Sequence, residues 1–282
     1  MITKVGVVGC GQMGAGIAEV CARAGCQVVV REPHDDLLKR GRDRISASLQ
    51  KAVDREKLTL AEKLATLELM TFTTSLNDLA DSELVIEAIT EDEPTKFALF
   101  QDLDKTVNAK AVLASNTSSI PIKQLANATK RPGQVIGMHF FNPVPVMGVV
   151  EQIASEYTSG ATKTICEAFV IHQLQKRLVH APDRAGFIVN ALLVPYLLSA
   201  VRFYEQGLAT KEDIDDGMEL GCNLPMGPLR LCDFIGLDII KYIADVLYRE
   251  LDDESAKSPD LLNQLVVEGK LGRKTGEGFY TY

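Results

Sequence analysis

The chain has 282 residues, of which 46% are hydrophobic and 24% are charged. This composition is that of an ordinary globular protein, and it excludes a disordered, collagen-like or coiled-coil chain. The length predicts about two domains. The formal net charge of −8 argues against a broad polyanion-binding surface, so we expect no nucleic-acid partner.

The cysteine pattern and the apolar runs indicate the cellular compartment of the protein. The six cysteines form no C-x-x-C pair and have no histidine at zinc-ligand spacing, which indicates free thiols in a reducing compartment and no metal site. The amino terminus lacks the layout of a signal peptide. The longest apolar stretch, residues 186–201, contains Asn190 and Pro195 and is shorter than the ~20 residues of a membrane span. We therefore expect a cytoplasmic protein with no membrane partner.

The first two thirds of the chain alternate short apolar runs with helical periods. This alternation predicts βαβ units on a parallel sheet. The predicted strands are Lys4–Val8, Gln27–Arg31, Leu84–Ile89, Ala111–Ser115 and Val135–His139, with edge strands at Val149–Ala154 and Leu178–Ala181. The predicted helices are Gln12–Ala24, Pro94–Val107 and Pro121–Ala128. A long helical stretch at about 35–70 predicts a helix pair that projects from the sheet.

The periodicity changes at residues 182–186, where the sequence PDRAG interrupts both patterns. Only helical periods follow, at Phe187–Gln206, Lys211–Leu220, Pro228–Glu250 and Asp260–Glu268. The predicted fold class is therefore α/β, a doubly wound Rossmann-type and mostly parallel sheet followed by an all-helical carboxyl-terminal domain. We place the domain boundary between residues 184 and 185.

The segment GCGQMG at residues 9–14 matches the pattern G-x-G-x-x-G, follows an apolar strand and opens a helix. In this context Gly9 permits a tight turn, Gly11 lets the backbone approach a pyrophosphate, and Gly14 allows close helix–strand packing. The helix amino terminus at Gln12 and Met13 would then face the phosphates. The alternative is a glycine-rich turn that binds nothing. The motif predicts a dinucleotide-binding domain over residues 1–184.

Glu32 stands at the end of the second predicted strand, 18 residues after Gly14. A carboxylate there accepts hydrogen bonds from an adenosine ribose and repels a 2′-phosphate, which favours NAD over NADP. Arg31 leaves NADP as the less favoured cofactor, because a neighbouring guanidinium can hold that phosphate. A solvated loop charge is the alternative for Glu32.

His139 ends a predicted strand at the carboxyl edge, where open α/β sheets bind ligands. Oxidation of an alcohol by hydride transfer needs a base for the hydroxyl proton, and neutral imidazole suits pH 7. A return of the chain to the sheet could bring the Glu151 carboxylate to the second ring nitrogen. A structural, hydrogen-bonded histidine is the alternative.

Residues 115–119, SNTSS, follow another predicted strand at the same edge of the sheet. Their hydroxyls could contact a substrate oxygen. The alternative is a helix-capping loop before Pro121.

Several segments together resemble the short, single-function L-3-hydroxyacyl-CoA dehydrogenases, and the resemblance covers residues 1–282. They are GVVGCGQMGAGIA, ASNTSSIPI, HFFNPVPVM followed by Glu151, GFIVN, PMGPL and LGRKTGEGFY. The resemblance implies an NAD-binding domain and a helical domain, residues 185–282, for substrate binding and dimerisation. It also implies NAD-dependent oxidation of a short-chain substrate such as (S)-3-hydroxybutyryl-CoA to acetoacetyl-CoA, and the reverse reduction. We expect a homodimer or a higher oligomer, with the apolar face of 187–201 at the interface.

The same resemblance implies roles for particular residues. His139 matches the family's general base and Glu151 its carboxylate partner. Ser118 matches the serine that contacts the substrate oxygen, beside the bound cofactor. Active-site asparagines are implied at Asn142, in the cofactor site, and at Asn190. The remaining implied cofactor contacts are Glu91, Lys96 and Lys274.

The segment Lys39–Lys57 carries seven basic and three acidic side chains in this acidic chain. Arg44, Ser48, Lys51 and Arg55 recur at helical spacing on one face. A solvated helix face is the ordinary explanation of such a run. Taken with the resemblance, the face predicts a site for the phosphorylated adenosine end of CoA, with Ser48, Lys51 and Arg55 as contacts.

Two other functions remain as alternatives. A related NAD-dependent dehydrogenase could act on a free sugar acid or 3-hydroxy acid, but such a substrate would not need an extended basic face. A non-catalytic NAD-binding family member would not need His139, Glu151 and Ser118 together.

Overall fold

The computed structural model describes residues 1–282. Backbone contacts divide the chain into two compact units, Met1–Arg184 and Ala185–Tyr282. The first unit is a mostly parallel eight-stranded sheet with helices packed on it, and the second consists of helices and short turns. The predicted fold class is therefore confirmed. None of the helices has both the length and the apolar composition that crossing a membrane requires.

The sheet has the strand order β3-β2-β1-β4-β5-β6-β7-β8. Its strands are β1 (Lys4–Val8), β2 (Gln27–Arg31), β3 (Met70–Thr73), β4 (Leu84–Glu87), β5 (Val112–Ser115), β6 (Val135–Phe140), β7 (Val149–Ile153) and β8 (Arg177–Ala181). All neighbouring strands are parallel except β6 and β7, which are antiparallel. The central strands β4, β5 and β6 are buried along their whole length, which explains their continuous apolar runs.

The helices of the first unit are α1 (Gln12–Arg23), α2 (Asp35–Asp54), α3 (Leu60–Glu68), α4 (Glu93–Thr106), α5 (Ile122–Asn127) and α6 (Gly160–Ala168), which runs on into a π-helical turn, Phe169–Gln173. Local capping residues determine where several of these helices begin. Thr59 and Glu62 form a reciprocal capping box at the start of α3. Asp92 caps α4, where Pro94 occupies the first turn.

Two elements of this unit were missed because they lack strong local signals. The helical stretch predicted at about 35–70 ends where β3 begins, and no strand was predicted at residues 70–73, which form an edge strand that pairs only with β2. No turn residue separates this short strand from α3, so its partner and not its own pattern decides its conformation. Helix α6 was also missed.

The second unit contains α7 (Val189–Glu205), α8 (Lys211–Cys222), α9 (Pro228–Ile235), α10 (Leu237–Leu251) and α11 (Asp260–Val267). The predicted single helix Pro228–Glu250 was wrong, because Gly236 divides it. Gly236 has φ +108°, a conformation that L side chains rarely adopt. The amphipathic pattern continues across the break, which concealed it in the sequence.

The apolar face of 187–201 was expected at an interface between subunits, and this expectation was wrong for most of the face. Val194, Leu197, Leu198 and Val201 are buried in the core of the second unit itself, with residues of α9 and α10. Leu192 is the exception, since 71% of it is exposed.

Replacement of Gly236 tests the division between α9 and α10. Gly236→Ala should lower the free energy of unfolding by about 1–3 kcal/mol, because alanine is strained at this φ. Gly217→Ala is the matched control: this glycine is inside α8, and an added Cβ would meet nothing within 4 Å. The control should gain about 0.5–1 kcal/mol. Urea unfolding measures both, and an unchanged midpoint for Gly236→Ala would contradict the expectation.

Candidate active site

Parallel strands bring separate sequence motifs to one edge of the sheet. The carboxyl ends of β1, β4, β5 and β6 are neighbours, because these strands pair in this order and direction. These ends carry the glycine-rich turn, Glu87, the segment 115–119 and His139. The candidate site of the first unit is built at this edge, as expected for an open α/β sheet.

The glycines of the turn have different physical roles. Gly9 has φ +93°, and an added Cβ would lie 2.5 Å from the Ala88 carbonyl oxygen. A Cβ on Gly14 would lie 1.8 Å from the Gly9 carbonyl oxygen, so both glycines are required by the packing of the chain itself. Gly11 is exposed, and a Cβ there would meet nothing within 4 Å. Gly11 therefore leaves open surface beside the start of α1.

The amino terminus of α1 fits a phosphate group. Gly11 is its N-cap and supplies no side-chain hydrogen bond, and no acidic residue lies in the first turn. The first backbone N–H groups of this 12-residue helix are therefore uncapped by side chains, and the helix dipole favours an anion there. Gln12 is exposed and Met13 is half-buried at this position. These residues fit the pyrophosphate of a dinucleotide.

Glu32 lies directly after β2 and reaches the glycine-rich turn. Its carboxylate accepts a hydrogen bond from the Cys10 backbone N–H. The guanidinium of Arg44 donates to the Cys10 carbonyl oxygen at 3.0 Å. The neighbouring Arg31 donates from Nε to the Thr74 carbonyl oxygen at 3.4 Å. The acidic residue therefore stands beside the turn, as a ribose-binding carboxylate would.

His139 and Glu151 form a buried pair. The antiparallel register of β6 and β7 places them directly opposite each other, and His139 Nδ1 lies 2.7 Å from Glu151 Oε2. The Glu151 side chain is fully buried and that of His139 is 9% exposed. An ionised carboxylate can only accept, so the ring proton resides on Nδ1 and Nε2 is the basic nitrogen. The Phe141 ring packs edge-on against the imidazole, with centroids 4.6 Å apart.

Glu91 organises the loop 115–119. Its Oε1 accepts from the Thr117 hydroxyl at 2.5 Å, the Ser118 backbone N–H at 2.8 Å, and the backbone N–H and hydroxyl of Ser119 at 3.1 and 2.9 Å. Burial raises the pKa of Glu91, but the Lys96 charge and these hydrogen bonds outweigh it, so the pKa lies below its ordinary value. The charged form of Glu91 therefore holds the loop that carries Ser118.

Lys96 is buried between two carboxylates. Its Nζ lies 2.5 Å from Glu87 Oε1 and 3.2 Å from Glu91 Oε2. Glu87 also accepts from the Ser115 hydroxyl at 2.6 Å. The direct cofactor contact expected of Lys96 stays a prediction, because in this structure its ammonium group forms ion pairs with Glu87 and Glu91.

The sequence reasoning missed Glu87 and Asn116. Asn116 Oδ1 accepts from the Phe140 backbone N–H at 2.9 Å and so joins the loop 115–119 to the end of β6. A signal for Glu87 existed: it is the one acidic residue in a strand whose other residues are apolar and buried. Asn116 had no signal beyond its place in the serine- and threonine-rich loop.

A cavity of about 360 Å³ lies between α1, α2 and the loop after β6. Its walls include Gln12, Arg44, Ser48 and Asn142, so the structure brings together members of three predicted groups. The basic face continues along α2 to Lys51 and to Arg55, which follows its last residue; both are exposed.

Two predicted site residues belong to the second unit. Asn190 is the second residue of α7 and is half-buried. Lys274 is exposed at its head group, and its Nζ lies 2.5 Å from Asp238 Oδ1.

Comparison with known proteins identifies relatives over the whole chain. The family model described as the 3-hydroxyacyl-CoA dehydrogenase NAD binding domain matches residues 4–184, and that of the C-terminal domain matches residues 186–282. A 3-hydroxybutyryl-CoA dehydrogenase of Mycobacterium tuberculosis is 53% identical over 282 residues, covering 100% of this chain and 99% of the relative. The mitochondrial hydroxyacyl-coenzyme A dehydrogenase of Homo sapiens is 44% identical, covering 100% and 92%.

Solved structures agree with these relatives. The crystal structure of M. tuberculosis FadB2 matches with a TM-score of 0.99 and 53% identity, covering 100% of this chain and 99% of that one. The (S)-3-hydroxybutyryl-CoA dehydrogenase of Ralstonia eutropha matches with a TM-score of 0.95 and 43% identity, with the same coverage. The chain carries the NAD-binding domain and the C-terminal domain of these oxidoreductases, and it belongs to the 3-hydroxyacyl-CoA dehydrogenase family.

Proposed function

We propose that this protein catalyses the NAD-dependent interconversion of (S)-3-hydroxybutyryl-CoA and acetoacetyl-CoA. The observation that carries the proposal is the buried His139–Glu151 pair at the carboxyl edge of a dinucleotide-binding sheet. Relatives that align over the full chain are named as dehydrogenases of this substrate. Activity with acetoacetyl-CoA and NADH, compared with free acetoacetate, tests the proposal and its nearest alternative, a free-acid dehydrogenase.

In the proposed mechanism, His139 Nε2 takes the proton of the substrate 3-hydroxyl. Glu151 holds the opposite ring nitrogen and stabilises the imidazolium that forms. In the reverse direction, the imidazolium returns the proton to the forming alkoxide. The nicotinamide supplies the hydride acceptor or donor when the cofactor is bound. Ser118 contacts the substrate oxygen, and Asn190 is assigned a second polar contact from the family resemblance.

The cofactor would be held by the glycine-rich turn and the acidic residue beside it. Gly11, Gln12 and Met13 would receive the pyrophosphate at the uncapped start of α1, while Gly9 and Gly14 shape the turn. Glu32 would accept from the adenosine ribose. The remaining proposed cofactor contacts are Glu91, Lys96, Ser118, Asn142 and Lys274.

The CoA part of the substrate would lie along α2. Ser48 lines the cavity beside α1, and the side chains of Lys51 and Arg55 are exposed without an ion pair of their own. Cations with no partner in the protein are available to a phosphate. This favours acyl-CoA over a free acid as the substrate.

His139 and Glu151 should act as one unit in proton transfer. His139→Ala should lower kcat by about 10² to 10⁴, the usual contribution of a general base, while the Kd for NADH is retained. Glu151→Gln should also lower kcat, because it removes the charge that stabilises the imidazolium. The double variant should be scarcely worse than His139→Ala, since both residues serve one proton transfer. Fully additive losses in a folded double variant would show that Glu151 acts independently.

Cofactor choice depends on Glu32. Wild-type enzyme should have a higher kcat/KM with NADH than with NADPH, because the carboxylate repels a 2′-phosphate. Glu32→Gln should lower the ratio of kcat/KM with NADH to kcat/KM with NADPH. Steady-state rates with each cofactor at saturating acetoacetyl-CoA measure the ratio. An equal or higher kcat/KM with NADPH in the wild type would refute the assignment.

Substrate binding should depend on the basic face of α2. Lys51→Ala with Arg55→Ala should raise the KM for acetoacetyl-CoA and leave the KM for NADH nearly unchanged. The KM for acetoacetyl-CoA should also depend less on salt concentration than in the wild type. Lys39→Ala with Arg40→Ala, two exposed cations at the start of the same helix, is the matched control. If neither the KM nor its salt dependence changes, the face is only a solvated surface.

Association of subunits is proposed for the second unit. Its exposed apolar side chains include Leu192, Leu220, Phe234, Ile239 and Tyr242. We propose that side chains of this kind are buried at a two-fold interface formed by the second unit. Light scattering should give a mass of at least twice 30.8 kDa at micromolar concentration. A monomer mass would contradict this proposal without affecting the proposed chemistry.

A further inference from the structure

We propose that Glu87 is a positioning residue for Ser118, acting through a closed ring of buried and half-buried polar side chains. The ring consists of Glu87, Lys96, Glu91, Thr117 and Ser115, and we call it the Glu87 ring. The inference rests on the proposed function, because it assigns Ser118 the contact with the substrate oxygen. Nothing in the proposed mechanism itself uses Glu87.

The position of Glu87 is unusual for a charged side chain. It is the last residue of β4, fully buried between β1 and β5 in the centre of the sheet. A carboxylate without partners would be strongly disfavoured there. Its two oxygens are instead occupied: Oε1 accepts from Lys96 and from the Ile89 backbone N–H at 2.8 Å, and Oε2 accepts from Ser115.

Two arms run from Glu87 to the loop that carries Ser118. In the short arm, the Ser115 hydroxyl donates a hydrogen bond to Glu87 and accepts one from the Thr117 backbone N–H at 3.1 Å. In the long arm, Lys96 binds Glu87 and Glu91 together, and Glu91 accepts from the Thr117 hydroxyl and the Ser118 backbone N–H. The arms meet at Thr117, directly before Ser118, and so fix the backbone on which Ser118 stands.

The polarity of the short arm requires a carboxylate. Because Glu87 only accepts, the single proton of Ser115 is directed to it and a lone pair remains for the Thr117 N–H. A glutamine amide at position 87 has one accepting and one donating end. If the amide oxygen keeps its hydrogen bond with Lys96, the NH₂ group faces Ser115 and reverses that hydrogen bond. The Ser115 oxygen must then accept from both the NH₂ group and the Thr117 N–H, and its own O–H loses its acceptor, so the geometry of the short arm changes. The substitution preserves the side-chain volume and removes the negative charge that Lys96 and Ser115 contact in the ring.

The decisive experiment is a double-mutant cycle with Glu87→Gln and Ser118→Ala, measured as kcat/KM for acetoacetyl-CoA at saturating NADH. Glu87→Gln should lower kcat/KM about tenfold when Ser118 is present, the size expected for one misplaced hydrogen bond, and less than about twofold in the Ser118→Ala background. A general loosening of the fold would act equally in both backgrounds. Equal losses in the two backgrounds, or a loss below about twofold in the first, would overturn the proposal.

Glu83→Gln is the matched control. Glu83 precedes β4 at the opposite end of the strand, and its carboxylate also accepts hydrogen bonds, from the backbone of Thr3 and Lys4. It should change kcat/KM less than about twofold in either background. If Glu87→Gln does not fold, as judged by circular dichroism, Ser115→Ala removes the short arm alone and enters the same cycle with the same two outcomes. An inactive but folded wild type would refute the proposed function, whereas an active wild type that tolerates these changes refutes only the role of Glu87.

Discussion

The candidate site depends on the burial of carboxylates at the carboxyl edge of the sheet. A buried charge is tolerated only when it is paired and hydrogen-bonded, and each partner must then hold a defined position. Glu87, Glu91 and Glu151 all meet this requirement, with Lys96, the loop 115–119 and His139 as their partners. The hydrogen bonds and ion pairs of these carboxylates hold the residues at the strand ends in defined positions.

The antiparallel pair β6–β7 is the other source of that geometry. All strands up to β6 run parallel, so the histidine at the end of β6 needs a partner from outside the βαβ pattern. The chain returns along β7, and the register sets Glu151 opposite His139 and Val150 opposite Phe140. A shift of one residue would turn Glu151 to the other face of the sheet. The flanking buried residues of β7 therefore hold the His139–Glu151 pair in register.

The sequence predicted those features that have a strong local or periodic signal. The strands that are buried on both faces and the glycine-rich turn followed from apolar runs and turn residues. The pairing of Glu151 with His139 was open on the residues alone and was implied by the family resemblance. Strand β3 and the break at Gly236 did not, because pairing with β2 and a single backbone angle decide them. Glu87 and Asn116 were missed for a similar reason. Both residues make contacts with residues distant in sequence, such as Ser115 and Phe140. The sequence indicates a buried charge at Glu87 but not its partners, and it gives no such indication for Asn116.

The basic face of α2 and the glycine-rich turn are structurally one assembly. Gly41 of α2 packs on Cys10 so closely that an added Cβ would lie 2.3 Å from its Sγ. Arg44, one turn later, donates to the Cys10 carbonyl oxygen, while Glu32 accepts from the Cys10 N–H. The backbone of one residue of the turn, Cys10, is thus held at its carbonyl oxygen by the helix and at its N–H by the residue after β2. Because Arg44 and Gln12 also line the same cavity, the position of α2 sets both the width of that cavity and the conformation of the turn. The helix pair between β2 and β3 is therefore part of the framework of the cofactor site, although the order of elements in the sequence presents it as an insertion.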